Sequence, residues 1–382
     1  MRKATCSMFV VAAGFALLTV TPAIWAQQNP AGADQGNSST GSSNAGAKSA
    51  LSPADQKARD AYQLTKTAKS LDEYSQIISL CQDALSQGPS ADSAAYARKL
   101  QAWALNKRGE KYSDAGNEKL ALKDFEAAVP LDAMLWKAVQ NRGVSRGFLG
   151  DKKGALADFN TIIRVNPSYA NAWFDRAELK FDQGDVTGAL DDYNQAIQLN
   201  PGDAGFYNSR GHANYRLGQF REALADYNRA VQINPEDAEA LVNRGDAYRE
   251  EGVYGAAASD FREAVRLNSK LGHAYLSTAW LMATCPEQRY RDAEKAIAAA
   301  QRAIELDGDK DYRYLDTLAA AQASAGKFDD AKATINKALN EAPQKETAHI
   351  HQRLELYETG RAFRDGAPAE PVKPASANMR AP

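Results

Sequence analysis

Five arginines, Arg108, Arg142, Arg176, Arg210 and Arg244, stand 34 residues apart. Such a stripe could hold phosphates or carboxylates, because a planar guanidinium fork meets two oxygens at once. Five aspartates, Asp124, Asp158, Asp192, Asp226 and Asp260, recur at the same spacing, each sixteen residues after its arginine. On an antiparallel helix pair the two positions come level, so each arginine is expected to meet its own aspartate bidentately. A charge paired in this way is satisfied and does not solicit a ligand. The ladder is therefore expected to be structural.

Other reactive residue types are sparse. There are only four histidines; His349 and His351 lie two apart on a predicted helix, hence on different faces, which argues against a shared metal. No glycine-rich phosphate loop precedes a helix. No nucleophile with its base and no carboxylate pair stands at working spacing, so the expectation is a non-enzyme without cofactor, metal or small-molecule substrate. Cys81 and Cys285 fall in distant parts of the chain, too far apart to bridge if the helices stack in order. Cys81 is expected in the core, and Cys285, beside Pro286, either at a buried helix end, the favoured reading, or as a reactive thiol.

The elements that must carry the ladder follow from the same period. "VNP" at 165, "LNP" at 199, "INP" at 233 and "LNS" at 267 are 34 apart, as are Gly116, Gly150, Gly184, Gly218 and Gly252. Glycine suits a left-handed helix end, and proline cannot continue a helix, so each unit reads as two helices of about a dozen residues. Small residues at Gly109, Gly143, Ala177, Gly211 and Gly245 face alanines at 121, 155, 189, 223 and 257, which lets the helices approach closely. A repeated aromatic, Phe125, Phe159, Tyr193, Tyr227 or Phe261, fills the space beside them.

This pattern of small residue, aromatic, small residue and closing proline, as in "AWFDRAELKFDQGDVTGALDDYNQAIQLNP" at 172–201, resembles the tetratricopeptide repeat (TPR) family. The resemblance implies an all-α fold, a right-handed α-solenoid of stacked helix-turn-helix units. Its expected units are 102–135, 136–169, 170–203, 204–237, 238–271, 272–310 (with five residues inserted between its helices) and 312–344. A degenerate unit over 58–91 precedes them, and a capping helix over 345–361 follows, its outer face carrying Glu346, Arg353 and Glu358.

In this family the first helices line a concave face that grips extended or helical segments of partner proteins. By phase, the residues implied there include Trp103, Lys137 and Phe148, and, as the candidates for partner contact, Phe174, Glu178, Phe181, His212, Tyr215, Arg216, Asp246, Arg249, Leu276 and Trp280. Phe174, Phe181, Tyr215 and Trp280 are the expected anchors. Nearby acidic residues outnumber basic ones, so the segment is expected to carry basic as well as apolar residues. A lysine and asparagine carboxylate clamp known in some members is not carried over: the equivalent places hold Asn106, Glu110, Lys137, Asn141 and Phe174.

Across its 382 residues the chain is 44% hydrophobic with a formal charge of −2, which gives no bulk reason to expect nucleic acid or an anionic membrane as partner. Residues 1–26 read as an export signal, with Arg2 and Lys3, an apolar run from Met8 to Val20, and cleavage after Ala26. The expected location is periplasmic or secreted; uncleaved, residues 4–25 would anchor the chain to a membrane, as in an assembly factor for an envelope or secretion complex. Residues 27–54 and 366–382 are poor in residues to bury and are expected to be a disordered linker and tail.

Overall fold

The computed structural model describes residues 51–366, which hold seventeen α-helices, one short 3₁₀ helix and no strand. The fold is all-α, a helical repeat of stacked antiparallel pairs. The expected export signal, most of the linker and all but the first residue of the expected tail lie outside the described residues. No helix among the described residues is long and apolar enough to cross a membrane.

The described chain divides into two compact units, one ending at Leu179 and the other beginning at Lys180. The first unit holds α1 (Pro53–Thr65), α2 (Leu71–Ser86), α3 (Ala91–Asp114), α4 (Glu118–Ala128), α5 (Trp136–Phe148), α6 (Lys152–Val165) and most of α7 (Ala170–Asp182). The second continues with α8 (Val186–Leu199), α9 (Ala204–Arg216), α10 (Phe220–Ile233), α11 (Ala238–Glu250), α12 (Tyr254–Leu267) and α13 (Gly272–Thr284). It ends with the 3₁₀ turn Gln288–Tyr290, α14 (Ala293–Asp307), α15 (Tyr312–Ser324), α16 (Phe328–Glu341) and α17 (Thr347–Glu358). In the second unit each first helix touches both its own second helix and the first helix of the next pair, so α9, α11, α13, α15 and α17 form one layer.

Local signals set the boundaries. Ser70 and Glu73 close a reciprocal capping box at the start of α2, and Asp151 and Asp185 cap α6 and α8 by accepting from the amides of Gly154 and Gly188. The glycines between paired helices adopt positive φ, for example 74° at Gly218. Asn166 and Asn200, each before a proline, leave the helical region as proline's Cδ requires.

Close packing explains the small residues. A Cβ on Gly211 would lie 2.8 Å from the Tyr227 ring, and one on Gly143 would lie 2.7 Å from the Phe159 ring. Phe125, Phe159, Tyr193, Tyr227 and Phe261 are all buried, and Cys81 takes the equivalent place between α1 and α2.

Three features depart from the sequence reading. α1 begins at Pro53, inside the expected linker, because Ser52 accepts from the Asp55 amide and proline suits the first helical position. Arg353 does not face outward from the capping helix: it is mostly buried and paired with Asp316 of α15 at 2.5 Å. Residues 361–365 follow α17 and fold back onto α13.

Candidate functional site

The arginines come first, being the most regular charged feature. Arg210 donates from Nε to Asp226 Oδ2 at 2.9 Å and from Nη2 to Oδ1 at 2.5 Å. Arg244 meets Asp260 in the same way at 2.7 and 2.8 Å, Arg108 meets Asp124 at 2.7 Å twice, and Arg142 meets Asp158 at 3.0 and 2.6 Å. Each of these aspartates is buried. The remaining nitrogen reaches the preceding pair: Nη1 of Arg176, Arg210 and Arg244 donates to Asn160, Asn194 and Asn228. Asp192 receives Lys180 at 2.7 Å, and Arg176 lies over the Trp173 ring. Each of the three nitrogens of Arg210 and Arg244 thus donates one hydrogen bond, two to a carboxylate and one to an amide oxygen, so these arginines tie second helices to first helices and neighbour to neighbour.

The candidate partner-binding residues of the second unit separate into an open group and a covered group. Phe181, at the end of α7, stacks on His212 of α9 with ring centroids 5.2 Å apart, and Arg216 sits over the Phe181 ring. Tyr215 stands edge-on to Phe220 and donates its hydroxyl to Glu250. Asp246 accepts from Ser277, lies 3.5 Å from His273 and 3.9 Å from Arg249. Phe174 and Glu178 lie earlier on α7, in the first unit, where both are partly buried.

Two candidates are corrected. Leu276 is buried against Ala303 and Tyr314 and belongs to the core, because its helix turns that position toward α14 and α15. Trp280 is covered by the chain itself: Phe363 lies 5.9 Å from its ring and Asp365 accepts its indole N–H at 2.9 Å. Arg249 is drawn into the same contact, donating to Asp365 at 3.0 Å and to Glu250 at 2.7 Å.

The first unit carries a cleft of about 390 Å³ bordered by Lys107, Glu110, Lys111, Lys137 and Asn141. Lys107 and Lys111 escaped the sequence reading, which named Lys137 among the family's clamp positions but not the cleft the three lysines share. Glu110 absorbs much of that charge, holding Lys107 at 2.7 Å and accepting from Asn106 and Asn141.

Burial perturbs several groups. It drives His212 down to about 4, with Arg216 and His273 adding like charge. For His273 burial acts downward too, but the hydrogen bond and charge of Asp246, joined by Glu239, hold it above its ordinary value. Burial raises Asp175 to about 7 against the opposing hydrogen bond from Gln140. Cys81 is pushed up to about 12 by burial alone, and Cys285 is also raised by burial. Neither thiol resembles an activated nucleophile, which requires a lowered pKa and access. Among the described residues no three or more His, Cys, Asp or Glu are grouped to hold a metal ion.

Family models described as TPR repeat match residues 177–218 and 215–252, and one described as tetratricopeptide repeat matches 238–271. Residues 177–271 are tetratricopeptide repeats. Among solved structures, that of Pseudomonas aeruginosa pilF is 15% identical with a TM-score of 0.50, covering 57% of this chain and 96% of that one; it shows the shared fold. A tetratricopeptide repeat protein from Parabacteroides merdae is 17% identical with a TM-score of 0.49, covering 67% of this chain and 98% of the other. MamA is 21% identical with a TM-score of 0.37, covering 42% of this chain and 95% of its own. Comparison with curated proteins by sequence finds no match. With these repeats the chain is an interaction scaffold in general kind. Its matched repeats carry Phe181, His212, Tyr215, Arg216, Asp246 and Arg249 on their first helices.

Proposed function

We propose that this protein captures a segment of a partner protein on the first-helix layer of its second unit. The observation that carries the reading is the grouping of Phe181, His212 and Arg216, in which the half-buried Phe181 ring stacks on the half-buried His212 and beneath the exposed Arg216. Rigid aromatic bodies beside polar groups suit peptide anchoring, since they contribute contact area at small entropic cost. Tyr215 extends the same surface toward α11. Asp182 and Glu250 are exposed at its edge, which favours an extended or helical segment bearing basic as well as apolar residues.

The test replaces Phe181 and Tyr215 together by alanine, checks helicity by circular dichroism and repeats affinity capture of partners. The reading expects the folded double variant to lose its partners, each true anchor being worth at least about 2 kcal/mol. Retention of every partner would place binding elsewhere. We also propose that the protein acts after export, a reading supported by residues 1–26 alone. A mature chain starting at Gln27 fits a soluble periplasmic or secreted scaffold, and a retained Met1 fits the membrane-held assembly factor.

A further inference from the structure

Residues 361–365 touch α13 in the manner of a docked ligand. Phe363 lies against Trp280, and Arg353 covers both rings from 5.5 Å. Two residues on, the Asp365 carboxylate accepts from Arg249 at 3.0 Å, from the Trp280 indole at 2.9 Å and from the Thr284 hydroxyl at 3.4 Å. Its backbone N–H donates to the Thr284 carbonyl at 2.9 Å, an acceptor left free by the end of the helix. An aromatic side chain and a carboxylate are thus read by side chains from α11, α13 and α17, and the backbone N–H of Asp365 by a main-chain carbonyl of α13, the components by which proteins recognise short extended peptides.

The residue between the two anchors is held by carbonyls alone. Arg364 donates only to the carbonyls of Ala283 and Phe363, and burial together with the like charge of Arg291 lowers its guanidinium below the ordinary value. A segment with another residue at this place would keep both anchors.

We propose that Arg249, Trp280, Thr284 and Arg353 form a recognition site for an aromatic residue followed two places later by a carboxylate, with Phe363–Asp365 as a built-in occupant that a partner segment displaces. The proposal rests on reading the first-helix layer as a protein-binding face. A tethered occupant competes at high effective concentration, so an external segment binds with an affinity reduced by the fraction of time the site is open. The strap therefore sets a threshold that weak or incorrect segments do not cross.

The experiment uses the full chain and its Phe363→Ala/Asp365→Ala variant, whose changes lie outside the helix pairs. The probe is a fluorescent peptide GRAFADGA, the sequence of 360–367 with alanine at the Arg364 position. Fluorescence polarisation should show the variant binding the peptide at least about tenfold more tightly than the unaltered chain. Adding Arg249→Ala to the variant, or replacing the peptide's aspartate by alanine, should abolish most of that gain. Equal affinity for both proteins, or no binding by the folded variant at millimolar peptide, would overturn the proposal and leave the strap as an end cap of α13. A second measurement needs no variant: saturating peptide should accelerate hydrogen exchange at the Asp365 amide of the unaltered chain, and unchanged exchange would contradict displacement. Because the probe derives from the strap, failure here is distinct from the outcome at Phe181 and Tyr215.

Discussion

Arg210 and Asp226, sixteen residues apart, are joined by two hydrogen bonds, and the third arm of the arginine crosses to Asn194 of the preceding pair. Asp226 is buried, with Asn214 its further donor at 3.1 Å. One side chain therefore fixes the distance between α9 and α10 and also the placement of α8 beside them.

Removing that arginine leaves a buried carboxylate with a single remaining donor. Arg210→Ala should cost about 1–4 kcal/mol in denaturant unfolding. The pair Arg210→Leu with Asp226→Leu should recover much of this loss, since neither leaves a stranded charge. An unchanged midpoint in the single variant would remove the ladder from the account of stability.

The close approach of α9 to α10 gives a steric prediction. In Gly211→Ala the new methyl meets the Tyr227 ring at 2.8 Å and the Asp226 Cβ at 3.2 Å, and the buried ring has no room to withdraw. The expected cost is about 1–3 kcal/mol by urea titration. Gly202→Ala, whose methyl would meet only an asparagine oxygen at 3.6 Å, should stay within about 0.5 kcal/mol of the parent.

Two histidines on first helices, His212 on α9 and His273 on α13, should respond to pH with opposite sign. The folded pKa of His212 is depressed to about 4, so the fold favours its neutral form; that contribution is complete above the ordinary value of 6.5 and is lost as pH falls from there toward 4. His273 is raised, so its contribution is complete below 6.5 and is lost as pH rises through its folded value. His212→Gln should reduce the stability lost between pH 7 and pH 4.5 by about 1–3 kcal/mol, while His273→Gln should flatten the profile on the alkaline side. Urea midpoints across pH check both, and equal profiles for all three proteins would contradict the assignment.

The parts of the fold that repeat at 34 residues were legible in the sequence because periodicity converts one local rule into many coincident ones. The all-α repeat follows from Gly116 through Gly252 and from the Asn-Pro helix ends. Arg210 and Asp226 were legible as neighbours because an antiparallel pair fixes which positions come level. The asparagines 160, 194 and 228 obey the same period, each following the repeated aromatic, and could have been read as the arginines' third partners. The strap offered no such signal: Asp365 lies 85 residues from Trp280 and 116 from Arg249, and nothing repeats that relation. The pairing of Arg353 with Asp316 is hidden for the same reason, and so the covered state of Trp280 could not be foreseen.

The central claim is that partners seat on the first-helix layer beside Phe181, and site-resolved photocrosslinking tests it most directly. A photoreactive phenylalanine analogue is placed at Phe181 in one protein and at the exposed Arg262 of second helix α12 in another, and partners are crosslinked under identical conditions. The account predicts that Phe181 crosslinks to one defined segment with apolar and basic residues, that Arg262 does not, and that raised salt lowers the yield by slowing association. Equal crosslinking at both positions, or crosslinks from Arg262 alone, would contradict it.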